Sequence, residues 1–141
     1  MAMIVGAAPA PPWARRPLVP LMLATDIGFL VYWAVTAFHL LPGAWLFKDY
    51  EDPRMQAWNW SFLALDLVVS GTGIGAAVML ARRHPGAAAV AVMSLTATAA
   101  SGLMALSFWT IRRDFDPAWW APNLFLAVYP LFFARRFLGS K

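Results

Sequence analysis

From about residue 86 to residue 111 the chain carries not one Asp, Glu, Lys or Arg. A helix rising about 1.5 Å per residue crosses the hydrocarbon of a bilayer with roughly 20 such residues. Three further apolar runs, about 18–41, 57–81 and 118–134, approach or meet the same requirement. The last is at the lower length limit, yet Trp119-Trp120 at its start and Arg135-Arg136 at its end mark two membrane interfaces. Hydrophobic residues make up 61% of the chain and charged ones 13%. A water-soluble domain of this size has too little interior to hide so much apolar side chain. The pattern therefore predicts an all-α fold: an integral membrane four-helix bundle, with the lipid bilayer as its solvent.

Residues 1–16 are Ala/Pro-rich and too broken by proline to be helical, and they read as a cytoplasmic tail. The apolar run that follows Arg15-Arg16 is too long for a secretory signal and lacks a small-residue cleavage site. Residues 17–137 form the four-helix transmembrane domain, and 138–141 a short cytoplasmic C-terminal tail. With no cysteine in the chain, disulfides, thiolate metal sites and cysteine nucleophiles are excluded.

The net charge of +4 is spread in pairs at the ends of apolar runs, a topology signal rather than a nucleic-acid-binding patch. Arg15, Arg16, Arg82, Arg83, Arg135, Arg136 and Lys141 fall on one side without an acid among them. Lys48, Arg54, Arg112 and Arg113 fall on the other, diluted by Asp49, Glu51, Asp52, Asp114 and Asp116. Cytoplasmic loops carry the excess of Lys and Arg, so the first side is cytoplasmic and both termini lie there. Trp45, Trp58, Trp60, Trp109, Trp119 and Trp120 gather at the opposite boundary as an aromatic belt. The expected location is the bacterial cell (inner) membrane, crossed several times.

Asp52-Pro53 and Asp116-Pro117 each read as an acidic N-cap followed by a proline at the first helical position. Seven residues after each Asp stands an asparagine, Asn59 and Asn123. Trp45 and Trp109, and Lys48 and Arg112, share the same offset, which hints at a duplicated helical hairpin.

Asp26 and Asp66 lie inside spans. A central Asp costs about 2.5–3.5 kcal/mol to insert, so each must face protein or water. Such acids serve proton relay, cation binding or substrate contact, or else act as hydrogen-bonding glue between helices. Counted from the inner arginines they lie roughly 15 and 24 Å deep, stacked along one cavity rather than forming a close dyad. Asn59, Phe62, Asp66, Ser70, Gly73 and Ala77 form one stripe of helix 2. Asp26 shares its face with Phe29, Trp33, Thr36 and Ala37. Ala87, Ala91, Ser94, Thr98, Ser101 and Ala105 make a small-residue seam on helix 3, suited to close packing. His39, near the outer end of helix 1, would be a lone candidate haem ligand; a hydrogen bond near Asn59 or to water suits it better. Gly71, Gly73 and Gly75 lack the Lys-Ser/Thr of a phosphate loop and serve helix packing. Pro130, inside helix 4, predicts a kink.

Several strings carry a resemblance: Thr25-Asp26-Ile27-Gly28-Phe29-Leu30-Val31-Tyr32-Trp33, Trp58-Asn59-Trp60-Ser61-Phe62 with Leu65-Asp66, and Ser101-Gly102-Leu103-Met104 with Ser107-Phe108-Trp109. Asp49-Tyr50, Phe115-Asp116, Trp119-Trp120, Pro122-Asn123 and Tyr129-Pro130 complete the set. Over about residues 20–133 the chain resembles the YvaD-like family of small bacterial four-span membrane proteins of unknown function. The resemblance implies the four-span topology and no activity.

Three function classes remain. The first is a protein that binds or translocates a small ligand or proton through an outward-facing cavity between helices 1, 2 and 4. Asp26, Trp33, Asn59, Asp66 and Asn123 would line it, and so small a scaffold would transport as a homo-oligomer. The alternative is a structural or accessory subunit packed against a larger membrane complex, suggested by abundant Trp and Phe with almost no soluble part. The third, an enzyme using Asp66 or Asp26 as a general base on a lipid or quinone, lacks a nucleophile–base pair and a metal-ligand cluster. No cofactor and no metal is expected. Buried acids cost energy that packing alone would avoid, which favours the first class.

Overall fold

In the computed structural model, which describes residues 14–139, every regular element is helical. A π-helical turn, Ala14–Leu18, leads into α1, Val19–Ala37. Then follow a single turn, α2 (Gly43–Leu46), then α3 (Pro53–Ser61), α4 (Leu63–Ala81), α5 (Ala87–Ile111) and α6 (Pro117–Gly139). The helical start at Ala14 corrects the reading of 1–16 as wholly non-helical. Pro17 and Pro20 lie in the opening turns, where their missing N–H groups have no intrahelical partner to lose. Helix also persists to Gly139, past the boundary expected at 137. The rest of the proposed N-terminal tail, 1–13, and residues 140–141 lie outside the described residues.

Arg16–Ala37, Pro53–Ala81 and Ala87–Ile111 are long and apolar enough to cross a membrane. The expected fourth span does not join them. α6 has the length, 23 residues, but its first two turns carry Pro117, Trp119, Trp120, Pro122 and Asn123.

Helix α1 stops at Ala37, four residues short of the expected 41. His39 takes a left-handed conformation (φ 52°). Its N–H reaches Thr36 O at 3.4 Å, and the N–H of Leu40 reaches Val35 O at 3.0 Å. That pair of bonds is a Schellman cap, and Pro42 just beyond it bars any continuation. The same cap ends α4 at Arg83 (φ 56°) and α5 at Arg113 (φ 56°). At the other termini Asp52 and Asp116 are the expected N-caps, accepting from the N–H of Arg54 at 2.8 Å and of Ala118 at 3.0 Å. Between α3 and α4 only Phe62 departs from the α pattern, its N–H bonding back three residues to Asn59 O at 3.1 Å.

The long helices pack in chain order, α1 on α4, α4 on α5, α5 on α6, while α1 touches α6 only sparsely. The small-residue seam of α5 is buried along its whole length. At Gly102 a Cβ would come within 2.7 Å of the main chain of α6 at Asn123 and Ala127, so these two helices cross backbone to backbone. Two apolar clusters close the ends. Leu18, Met22, Leu80, Ala87 and Phe133 gather at the arginine-bearing end. Leu46, Phe47, Met55 and Trp109 gather at the tryptophan-rich end. Between them the interior mixes small polar and apolar residues, Ser70, Ser94, Thr98 and Ser101 with Val69, Leu95 and Ala99, while large apolar side chains such as Ile27, Val68, Met93, Leu103 and Phe132 are exposed. Large apolar side chains left outside in such number suit a hydrocarbon surrounding better than water.

Candidate functional site

The stripe on α3 and α4 brings Asn59 and Asp66 to the same side of one nearly continuous helix, two turns apart. On α1 the helical period brings Trp33 opposite them, and on α5 it brings Ser101. Trp33 Nε1 donates to Asp66 Oδ2 at 3.0 Å, and Ser101 Oγ donates to Asp66 Oδ1 at 3.2 Å. Tyr32 Oη donates to Asn59 Oδ1 at 2.6 Å. Each acceptor oxygen of the acid is thus held by a different helix, which fixes the carboxylate in place across three elements.

These groups line a cavity of about 170 Å³. Its walls are rings, among them Phe29, Tyr32, Trp33, Phe47, Trp58 and Trp109, with Asn123 and Leu126 contributed by α6. Asn123 Nδ2 is itself occupied, donating to Trp119 O one turn back at 2.7 Å. Two donors on the wall have no partner: Asn59 Nδ2 and Trp109 Nε1. Both side chains are more than nine-tenths buried, at 7% and 2% exposure. A buried N–H without an acceptor costs about 1–3 kcal/mol; Asp26 Oδ2 and Thr36 Oγ1, away from this wall, are likewise without a partner.

Of the five residues singled out in the sequence, four come together here: Trp33, Asn59, Asp66 and Asn123. Asp26 does not. Its carboxylate sits in the α1–α4 seam against Gly73, where any Cβ would overlap it, and Ser70 Oγ donates to its main-chain carbonyl at 3.1 Å. The two acids therefore do not share one cavity, because Gly73 opens a separate niche for Asp26. Ala37, expected on the Asp26 face, is exposed. His39 is exposed at the α1 cap, and Asn59 takes its hydrogen bond from Tyr32 instead.

Trp58 and Trp109, expected in an interfacial belt, turn inward to the cavity, whereas Trp45 remains 75% exposed. The signal for Trp109 was present: it continues the α5 seam at Ser94, Thr98, Ser101 and Ala105 by one more turn. The same contrast weakens the hairpin duplication, since Trp45 lies on the connecting turn α2 and Trp109 within α5. The connections above the cavity are tied to each other. Lys48 Nζ pairs with Asp114 at 2.7 Å, and Arg112 pairs with Asp49 at 2.8 Å while its guanidinium lies 5.7 Å from the ring centres of Phe108 and Trp109. Among the described residues no group of three or more His, Cys, Asp or Glu could hold a metal ion.

A family model described as a family of unknown function, DUF5360, matches residues 18–141. The chain is 46% identical over 116 residues to the "Uncharacterized protein YvaD" of Bacillus subtilis (strain 168), covering 82% of this chain and 87% of that protein. No solved structure matches. The family match and the YvaD identity bear out the resemblance carried by the sequence strings: this chain belongs to the DUF5360 family.

Proposed function

We propose that this protein is a multi-pass protein of the cell membrane that binds a small ligand in the cavity around Asp66, with that cavity near the outer face. The apolar exterior supports the membrane assignment, and the uncharged stretch of α6 from 117 to 134 supports a fourth crossing beside the other three. The segregation of Arg82, Arg83, Arg135 and Arg136 at one end supports placing that end, and both termini, in the cytoplasm. The observation that carries the ligand-binding reading is the pair of unpartnered donors, Asn59 Nδ2 and Trp109 Nε1, on the wall of a ring-lined cavity that also holds a fixed carboxyl group.

A purely structural subunit gains nothing from two buried, unpaired N–H groups, whereas a ligand-binding site is completed by them. Native mass spectrometry of the protein released gently from its own membrane is the test. A bound small molecule is expected on the wild type and not on Asp66→Asn, whose new NH₂ faces the donors of Trp33 and Ser101. Wild type and variant that both emerge free of any adduct would refute the reading. Asp66 is also the group through which binding would be coupled to proton movement, and adduct retention by the wild type followed across pH reports that coupling.

A further inference from the structure

Resting on that reading, we infer that the ligand reaches the cavity sideways from the lipid, between α1 and α6, and is a membrane-dissolved molecule with a flat, carbonyl-bearing ring and an aliphatic tail. The seam between α1 and α6 is closed in places and holds one open groove. Near the arginine end it is shut by Leu18, Met22 and Phe133, and by Tyr129 Oη donating to Thr25 Oγ1 at 3.0 Å. Beside this bond, between residues 21–29 of α1 and 122–126 of α6, lies a second cavity of about 300 Å³. Its wall has one hydroxyl, Thr25, already engaged by Tyr129; the remainder is apolar. Phe29 and Leu126 line both this groove and the Asp66 cavity, so the two spaces adjoin at these side chains. Gly28 leaves the groove open, for a Cβ there would meet nothing within 4 Å.

The two compartments sort the ligand into parts. The groove, apolar and facing lipid, accepts an alkyl or isoprenoid chain. The inner cavity is close in volume to the roughly 150 Å³ void that holds benzene, so it takes a head of one six-membered ring. Its aromatic walls favour a planar head, and the free donors of Asn59 and Trp109 demand oxygen acceptors on it. A tailed benzoquinone has this chemistry and serves as the probe.

In lipid nanodiscs, a decyl-substituted benzoquinone is expected to quench the tryptophan fluorescence saturably. Tail-less benzoquinone should do so at least tenfold more weakly, and decylbenzene should displace the decyl compound only at tenfold or higher excess. Gly28→Leu, which fills the groove, should weaken the decyl compound by at least tenfold. Gly71→Leu, whose Cβ also meets nothing, should leave binding and melting unchanged. Trp109→Phe keeps a ring and removes one N–H, and should weaken binding about five- to tenfold. Equal binding with and without the tail, together with an unaffected Gly28→Leu protein that melts like the wild type, would overturn the lateral route and leave the cavity reading standing. Saturation by neither quinone would overturn the ligand class, while the native adduct measurement judges the cavity itself.

Discussion

At the scale of single residues, the chain uses left-handed positions without glycine. His39, Arg83 and Arg113 each occupy the αL site of a Schellman cap, a conformation that costs an L-residue roughly 1–2 kcal/mol. Arg83→Gly should therefore raise stability by about 1 kcal/mol, seen as a higher thermal midpoint in detergent; an unchanged or lower midpoint would mean that the Arg83 side chain contributes more than the strain removes. These caps explain why the sequence misplaced the end of α1: a cap lacking glycine leaves no mark in the letters. Site residues were more legible. Asn59 and Asp66 were readable because a polar stripe in an apolar helix has to face protein, and Trp33 because it lies two turns from Asp26 on the same face. Asp26 itself was misassigned, since periodicity gives a direction around a helix but not which neighbour fills the space there. That space is set by Gly73, on a different helix.

Among the elements, α5 was the most legible and organises the others. Its bounds matched because nothing charged interrupts it and the residues flanking it turn, and its buried seam followed the helical period to the last turn. α6 was the least legible, because the aromatic, proline and asparagine residues that lower its apolarity are the ones facing the cavity and the interface. The contact that locks these two helices together is Gly102 against the α6 backbone. Backbone atoms cannot rotate away, so Gly102→Ala must push the helices apart. A loss of about 1–3 kcal/mol is expected, and the cavity wall formed by Asn123 and Leu126 moves with α6. Thermal unfolding in detergent checks it, and an unaltered melt would show that the crossing has slack.

At the scale of the whole molecule, ion pairs tie the two connections at the tryptophan-rich end to each other, beside the cavity that Phe47 lines. The hydrogen bond from Lys48 keeps the carboxyl of Asp114 below the usual carboxylate range, and the same bond holds the Lys48 ammonium above its ordinary value. A lowered acid pKa contributes stability above its unfolded value, near 4, and the contribution fades as pH falls through the folded one. A raised lysine contributes below its unfolded value, near 10.4, and fades as pH rises through the folded one. Acrylamide quenching of the lining tryptophans should thus stay flat between about pH 5 and 9 and increase below about pH 4. Lys48→Met should show the increased quenching already at neutral pH, and a flat profile for wild type down to pH 3 would count against the tie.

Because neighbours in the chain are neighbours in space, each helix can settle on its predecessor as it leaves the ribosome, with no need to wait for a distant partner. Contacts to the final helix are different in kind: the Thr25–Tyr129 bond joins residues 104 positions apart. It forms when the final helix arrives, and that helix also brings the last wall of the Asp66 chamber. The Asp66 chamber therefore takes its final shape only in the last moments of synthesis, once α6 has been made.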